Sequence, residues 1–253
     1  MTHPFKGRAA LVTGAGRGIG RATAVGLAAG GAKVALLARS EDELAGTAGL
    51  IKEQGGTAYV VPADLGDDGR LAEAIARVRD ELGAVDILVN NAGVVWPLGE
   101  TPAVDVGEWA AAMRVNVLAP VTLAVAFVPG MLDRGWGRVV NVSTGAVTRP
   151  GSMIGGNAYV TTKTALEAHT LNLALELDGT GVTVNVYRPG LVDTAMPGYI
   201  RAQDPGRIGA ALHERFIRSH TEGRLITPEQ SARTLLDRLA RDNGTAQIWD
   251  FDA

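Results

Sequence analysis

The stretch Tyr159-Val160-Thr161-Thr162-Lys163 sets a phenol and an ammonium four residues apart. On a helix those positions share one face, one turn apart. A free phenol titrates at about pH 10, too high to shuttle protons at neutrality, and a neighbouring cation favours the phenolate. The spacing therefore suits a tuned general acid or base. The surrounding AYVTTKTALEAHTLNLALEL carries apolar residues at helical intervals, which predicts the helix this requires. A second reading is a surface pair, with stems on apolar surface and heads in water.

A second stretch able to do chemistry is TGAGRGIG, residues 13–20, four glycines in eight residues. It follows the apolar run Ala9-Ala10-Leu11-Val12 and precedes the helix-like RATAVGLAAGG. A strand that enters a helix through glycines leaves first-turn N–H groups unpaired at the positive end of the helix dipole, which is a phosphate site. A tight turn would use glycine in the same way. From Gly14 the spacing is G-x-x-x-G-x-G through Gly18 and Gly20, with Ile19 where G-x-G-x-x-G requires glycine. No G-K-[ST] closes the run, which excludes a nucleoside-triphosphate loop.

Elements that could position these groups alternate along the chain. Short apolar runs at 9–13, 33–37, 57–61, 85–90, 138–143, 182–187 and 246–249 are separated by helical patterns. This predicts an α/β fold: one doubly wound Rossmann-type domain over 1–253, an about seven-stranded parallel sheet with helices on both faces. Ligands of such sheets bind at the carboxyl ends of the strands. Three clusters follow strands: Asn90-Asn91-Ala92-Gly93, Ser143-Thr144-Gly145, and Pro189-Gly190 with Val192 and Thr194. Each alone is ordinary turn chemistry; together they fall on one sheet edge. About 196–223 reads as one long irregular region, expected to be a substrate lid.

Composition narrows the function classes. With 46% hydrophobic and 20% charged residues the chain has an ample core, and a net charge of −3 supplies no footprint for nucleic acid. There is no cysteine, hence no disulfide or thiol chemistry. The four histidines, His3, His169, His213 and His220, lack ligand spacing, so no metal site is expected. No signal pattern opens the chain and no apolar run approaches membrane-spanning length, so the expectation is a cytoplasmic protein without a membrane.

The joint order of these motifs resembles the short-chain dehydrogenase/reductase family over essentially the full length. The carrying residues are T-G-x-x-x-G-x-G at 13–20, Asp64 in PADL, N-N-A-G at 90–93 and Asn116 in RVNV. They continue with the VNVST strand end, Y-x-x-x-K at 159–163 and P-G-x-x-x-T at 189–194. The resemblance implies an oxidoreductase, 3-oxoacyl reductase-like, that moves a hydride between a nicotinamide cofactor and a small ketone or alcohol. Tyr159 would pass the proton, Lys163 would hold the nicotinamide ribose and lower the Tyr159 pKa, and Asn116 would anchor a water joined to Lys163. A hydroxyl after the fifth strand would polarise the carbonyl; Thr144 holds the matching position, and Ser143 is the alternative. Gly14, Gly18, Ile19 and Gly20 would meet the pyrophosphate, Asp64 and Leu65 the adenine, and Asn91, Ala92 and Gly93 the adenosine side. The Val192 backbone and the Thr194 hydroxyl would hold the carboxamide, with Pro189 and Gly190 also among the cofactor-binding residues. The family also implies a homodimer or homotetramer.

The second strand ends in Leu37-Ala38-Arg39-Ser40, without the carboxylate that accepts a ribose 2′-OH. Arg39 and Arg17 are placed to meet a 2′-phosphate, which favours NADP(H) over NAD(H). Solvated loop charges are the plainer reading of both arginines. Met196, Tyr199, Ile200, Ile208, Leu212 and Phe216 point to an apolar substrate. An NAD-dependent alcohol dehydrogenase and a non-catalytic dinucleotide-binding regulator remain as alternatives.

Overall fold

Seven parallel strands in the order β3-β2-β1-β4-β5-β6-β7 carry the chain. The computed structural model describes residues 3–251. The strands are β1 (Ala9–Thr13), β2 (Lys33–Ala38), β3 (Thr57–Pro62), β4 (Ile87–Asn90), β5 (Gly137–Val142), β6 (Val182–Arg188) and β7 (Ile248–Asp250). β1, β4, β5 and β6 are buried along their whole length. Their largely apolar, Val- and Leu-rich sequences suit strands covered on both faces, and polar residues within them, such as Asn141, are hydrogen-bonded.

Alternate residues feed two cores. Leu11, Leu37, Leu88 and Val139 pack beneath helices α3 (Asp68–Leu82) and α5 (Ala119–Asp133). Val12, Leu36, Val89 and Val140 pack beneath α1 (Gly18–Ala29) and α10 (Pro228–Arg241). The remaining long helices are α2 (Glu41–Glu53), α4 (Val106–Met113) and α6 (Asn157–Glu176). The strand order reverses direction at β1, which pairs with β2 on one side and β4 on the other. A crevice outside the carboxyl ends of strands is expected at that switch point.

Two expectations need correction. Residues 196–223 are not irregular: they form α7 (Ala195–Arg201), α8 (Pro205–Ile208) and α9 (Ala210–Thr221). Asp204 caps α8, Pro205 occupies its first turn, and Gly209 at φ 89° separates it from α9. The glycines and prolines there mark helix ends rather than a loop. The other concerns apolar length. α4, a π turn (Arg114–Leu118) and α5 run on as one helix, Val106–Asp133, long and apolar enough to cross a membrane by length and composition, its most apolar window having a mean hydropathy of 1.9. Half of that window is buried inside the fold, where Leu123, Phe127 and Met131 join the core.

Candidate active site

The end of β1 is tied to the loop after β4 by one hydroxyl. Thr13 Oγ1 accepts from the backbone N–H of Asn91 and of Ala92, each at 3.0 Å, and Asn91 Nδ2 donates to the Thr13 carbonyl at 2.9 Å. Gly14 and Gly18 take φ of 65° and 56°, which glycine adopts without cost. A Cβ on Gly20 would stand 2.2 Å from the Gly14 carbonyl oxygen, so helix and loop approach more closely than a side chain permits. Arg21 Nε donates to the Gly16 carbonyl at 2.8 Å, and Thr47 to that of Ala15 at 2.9 Å.

Helix α1 differs from its neighbours at its start. Its cap, Arg17, makes no side-chain cap bond and no acid stands in the first turn. Ser40 and Asp67, by contrast, cap α2 and α3, and acids follow them. The N–H groups of α1 beside Ile19 are thus left for an external anion. This is a cradle that fits a dinucleotide pyrophosphate.

Arg39 is exposed at the end of β2, and no carboxylate ends that strand. Arg17 Nη1 lies 3.3 Å from Glu43 Oε1, both groups partly in solvent. This pairing was not legible in the sequence. It depends on α2 packing on the loop: a Cβ on Gly16 would stand 2.9 Å from Glu43 Cβ. After β3, Asp64 Oδ1 accepts from Gly66 N at 2.9 Å and Leu65 is buried.

The groups expected to handle the proton meet at the ends of β4 and β5. Thr144 is the hydroxyl that acts on the Tyr159 phenol, whereas Ser143 Oγ is buried with no hydrogen-bond partner among the described residues. Neighbours on an extended strand point to opposite sides, and Thr144 is the one turned to the phenol. Thr144 Oγ1 also accepts from Ala146 N at 3.3 Å. Burial raises the Tyr159 pKa, and the Thr144 hydroxyl opposes that rise. The sequence reading had Lys163 lowering it; in the structure desolvation of the phenolate is the larger effect.

Lys163 is buried and donates from Nζ to the Val142 carbonyl at 2.7 Å. Burial lowers its pKa to about 8, against the pull of Glu167. Asn116 lies in the π turn, an irregularity common at functional sites. Its Oδ1 accepts from Val94 N at 2.8 Å, and Nδ2 donates to Val94 O and Thr162 Oγ1, each at 2.9 Å. Gly93 lets Lys163 and Asn116 converge: a Cβ there would lie 3.2 Å from Nζ and 3.3 Å from Oδ1.

The turn after β6 closes the site. Pro189 accepts from Ser231 Oγ at 3.0 Å, Gly190 takes φ 77°, and Val192 bridges to Ile226. Thr194 caps the start of α7 in extended conformation, and its Cγ2 would be 3.1 Å from a Cβ on Gly18. The glycine loop after β1 and the turn after β6 therefore abut. Ile200, Ile208, Leu212 and Phe216 bury themselves in one apolar cluster with Tyr159, Met153 and Val95. Tyr199 instead lines, with Trp96, Glu108 and Arg207, a separate cleft of about 580 Å³ whose walls do not include Tyr159. Among the described residues no cluster could hold a metal ion.

Comparison with known proteins identifies the family and the fold. The family described as short chain dehydrogenase matches residues 8–205. A short chain dehydrogenase of Pseudocercospora fijiensis is 38% identical over 194 residues, 76% of this chain; the chain spans 62% of that relative's length. The acetoacetyl-CoA reductase of Rhizobium meliloti is 35% identical over 240 residues, covering 94% of this chain and 92% of the relative. A putative NAD(P)-dependent gluconate 5-dehydrogenase from Beutenbergia cavernae, solved with NADP, superposes with TM-score 0.83 at 33% identity, over 98% and 97% of the two chains. An NAD+-bound xylitol dehydrogenase superposes with TM-score 0.85 at 25% identity, over 97% and 98%.

Proposed function

The chain belongs to the short-chain dehydrogenase family, and we propose that it is an NADP(H)-dependent reductase interconverting a ketone or 3-oxoacyl group and a secondary alcohol. The observation that carries this reading is the buried Tyr159 phenol one helical turn from the buried Lys163 ammonium, with Thr144 acting on the phenol, on the sheet edge that also holds the uncapped start of α1. NADPH, when bound, supplies the hydride.

Tyr159 donates its proton to the carbonyl oxygen in reduction and removes the alcohol proton in oxidation. Thr144 donates to the same oxygen and polarises the carbonyl. Lys163 holds the nicotinamide ribose and keeps a positive charge beside the reacting oxygen. Asn116 has spent its side chain on Val94 and Thr162, so a water joined to Lys163 would be held by its main chain. The apolar cluster of α7–α9 on Tyr159 acts as a lid and favours a largely apolar substrate.

Loss of NADPH absorbance with a panel of ketones and 3-oxoacyl thioesters tests the reading. NADPH binding without turnover on any carbonyl would favour a non-catalytic regulator. A second reading, NAD-dependent alcohol oxidation, draws on Glu43, which already engages Arg17. We further propose a cytoplasmic homodimer or homotetramer. The absence of cysteine suits that compartment, and Leu118, Val125 and Leu132, seven residues apart, are exposed with Leu175 of α6.

A further inference from the structure

Behind Lys163, on the side away from Tyr159, stands a buried pair of charges that the reaction scheme leaves unused. Glu167 follows Lys163 by one turn of α6, as Lys163 follows Tyr159. It accepts two hydrogen bonds from Arg188, Nε to Oε1 at 2.9 Å and Nη2 to Oε2 at 2.7 Å. Glu167 is 6% exposed and Arg188 8%. Arg188 ends β6 and immediately precedes Pro189-Gly190, and its Nη1 lies 3.8 Å from Asp250 Oδ1 at the end of β7.

Planar two-point pairing of this kind fixes orientation as well as distance. Buried pairs contribute little net stability, because taking both ions out of water offsets their attraction. What this pair joins is more telling. One partner is on the catalytic helix and the other on the strand end that turns into the nicotinamide-side loop. We propose that Glu167 is a positioning residue: it keeps Lys163 in its charged form and, through Arg188, holds the Tyr159–Lys163 helix in register with the Pro189–Thr194 turn.

Burial works against an ammonium at Lys163, and Glu167 is the group that opposes that effect. Other charged groups on elements packed against α6 stand elsewhere. Arg138 is the second residue of β5, at the end of that strand away from Lys163, and Glu108, Arg114 and Arg149 are exposed. Asp250 is half exposed and meets Arg188 rather than Lys163.

The inference rests on the hydride-transfer reading, so its test has two readouts. One is the pH profile of kcat/KM for carbonyl reduction; the other is the pH dependence of the NADPH dissociation constant, followed by nucleotide fluorescence. The wild-type alkaline limb reports loss of the Lys163 proton. Glu167→Gln leaves Arg188 unopposed and moves that limb to lower pH by about one unit, the size of shift a close charge produces. Arg188→Gln leaves the carboxylate unopposed and moves it to higher pH. The double variant, which leaves no buried charge alone, falls between Glu167→Gln and wild type.

A purely structural pair would lower activity in both single variants without moving the limb in opposite directions. Movement in the same direction, or none, overturns the proposal. Should a single variant not fold, the double variant decides: an unmoved or raised limb in it overturns the proposal too. If no carbonyl is reduced by wild type, the function proposed above fails, and the nucleotide-binding profile still decides the role of Glu167.

Discussion

Thr144 acts on the Tyr159 phenol beyond the carboxyl end of β5, opposing the rise that burial imposes on its pKa, while the adjacent Ser143 Oγ is buried without a hydrogen-bond partner among the described residues. Two neighbouring hydroxyls thus have different surroundings, and only Thr144 influences the phenol. Thr144→Ala should lower kcat by about 10²-fold or more, the loss of one donor to a developing oxyanion. Ser143→Ala should stay within a few-fold of wild type, and Thr144→Ser should keep most activity. Steady-state kinetics checks this, and the opposite ranking would assign the carbonyl-polarising role to Ser143.

Tyr159→Phe keeps the ring in its apolar cluster and removes the titrating hydroxyl. Turnover should fall by roughly 10²–10⁴-fold while NADPH still binds. Near-normal kcat in this variant would remove Tyr159 from the chemistry.

How much of this was legible beforehand follows from the range of each interaction. Strand runs such as Ala9–Thr13 and Val182–Arg188 announce themselves because both faces are covered, so burial is written in consecutive residues. The loop clusters were legible because a parallel sheet gathers strand ends on one edge. Contacts made by packing were not. Glu43 reaches Arg17 because α2 lies on Gly16, and Glu167 reaches Arg188 across a helix–strand interface. The raised pKa of Tyr159 belongs to the same class, since its main cause is burial beneath the surrounding structure. The lid helices were missed because short helices bounded by Gly and Pro have the composition of a loop.

Lys163 carries a testable pH signature. Its folded-state pKa, about 8, lies below the ordinary 10.5. Between those values the unfolded chain binds the extra proton, so stability should rise with pH across that window. Below about pH 8 the protein holds a buried ammonium at a cost. Lys163→Met should therefore abolish turnover yet be more stable at pH 7, by on the order of 1–3 kcal/mol, with the gain shrinking above pH 8. A Lys163→Met protein less stable than wild type at pH 7 would mean that the Val142 hydrogen bond outweighs the desolvation.

Association should depend on the exposed face of α5. Light scattering at micromolar protein should give a multiple of the 26.3 kDa chain mass. Val125→Asp, on a side chain 72% exposed, should shift the population toward monomer without unfolding it, because a charge there is desolvated only in the assembly. A wild-type monomer would remove the oligomer from the proposed function.

Nucleotide choice turns on three side chains. β2 ends at Ala38 without an acid, Arg39 beside it is exposed, and Arg17 is the only charged residue in the glycine loop. Guanidinium groups suit a 2′-phosphate through paired N–H donors. Arg17 is already held at 3.3 Å by Glu43, but both groups are solvent-exposed, and pairs of that kind contribute at most about 1 kcal/mol. A dianionic phosphate should displace the carboxylate. Wild type is therefore expected to favour NADP(H) by at least about tenfold in kcat/KM, equivalent to ~1.4 kcal/mol of differential binding. Glu43→Gln should widen the preference by freeing Arg17. Ala38→Asp with Arg39→Ala should invert it, since the new carboxylate repels the phosphate and accepts from the 2′-OH. Comparative kinetics with both nucleotides over a range of salt concentrations checks all three. Equal use of the two by wild type, at low salt as well as high, would show that neither arginine reads the phosphate.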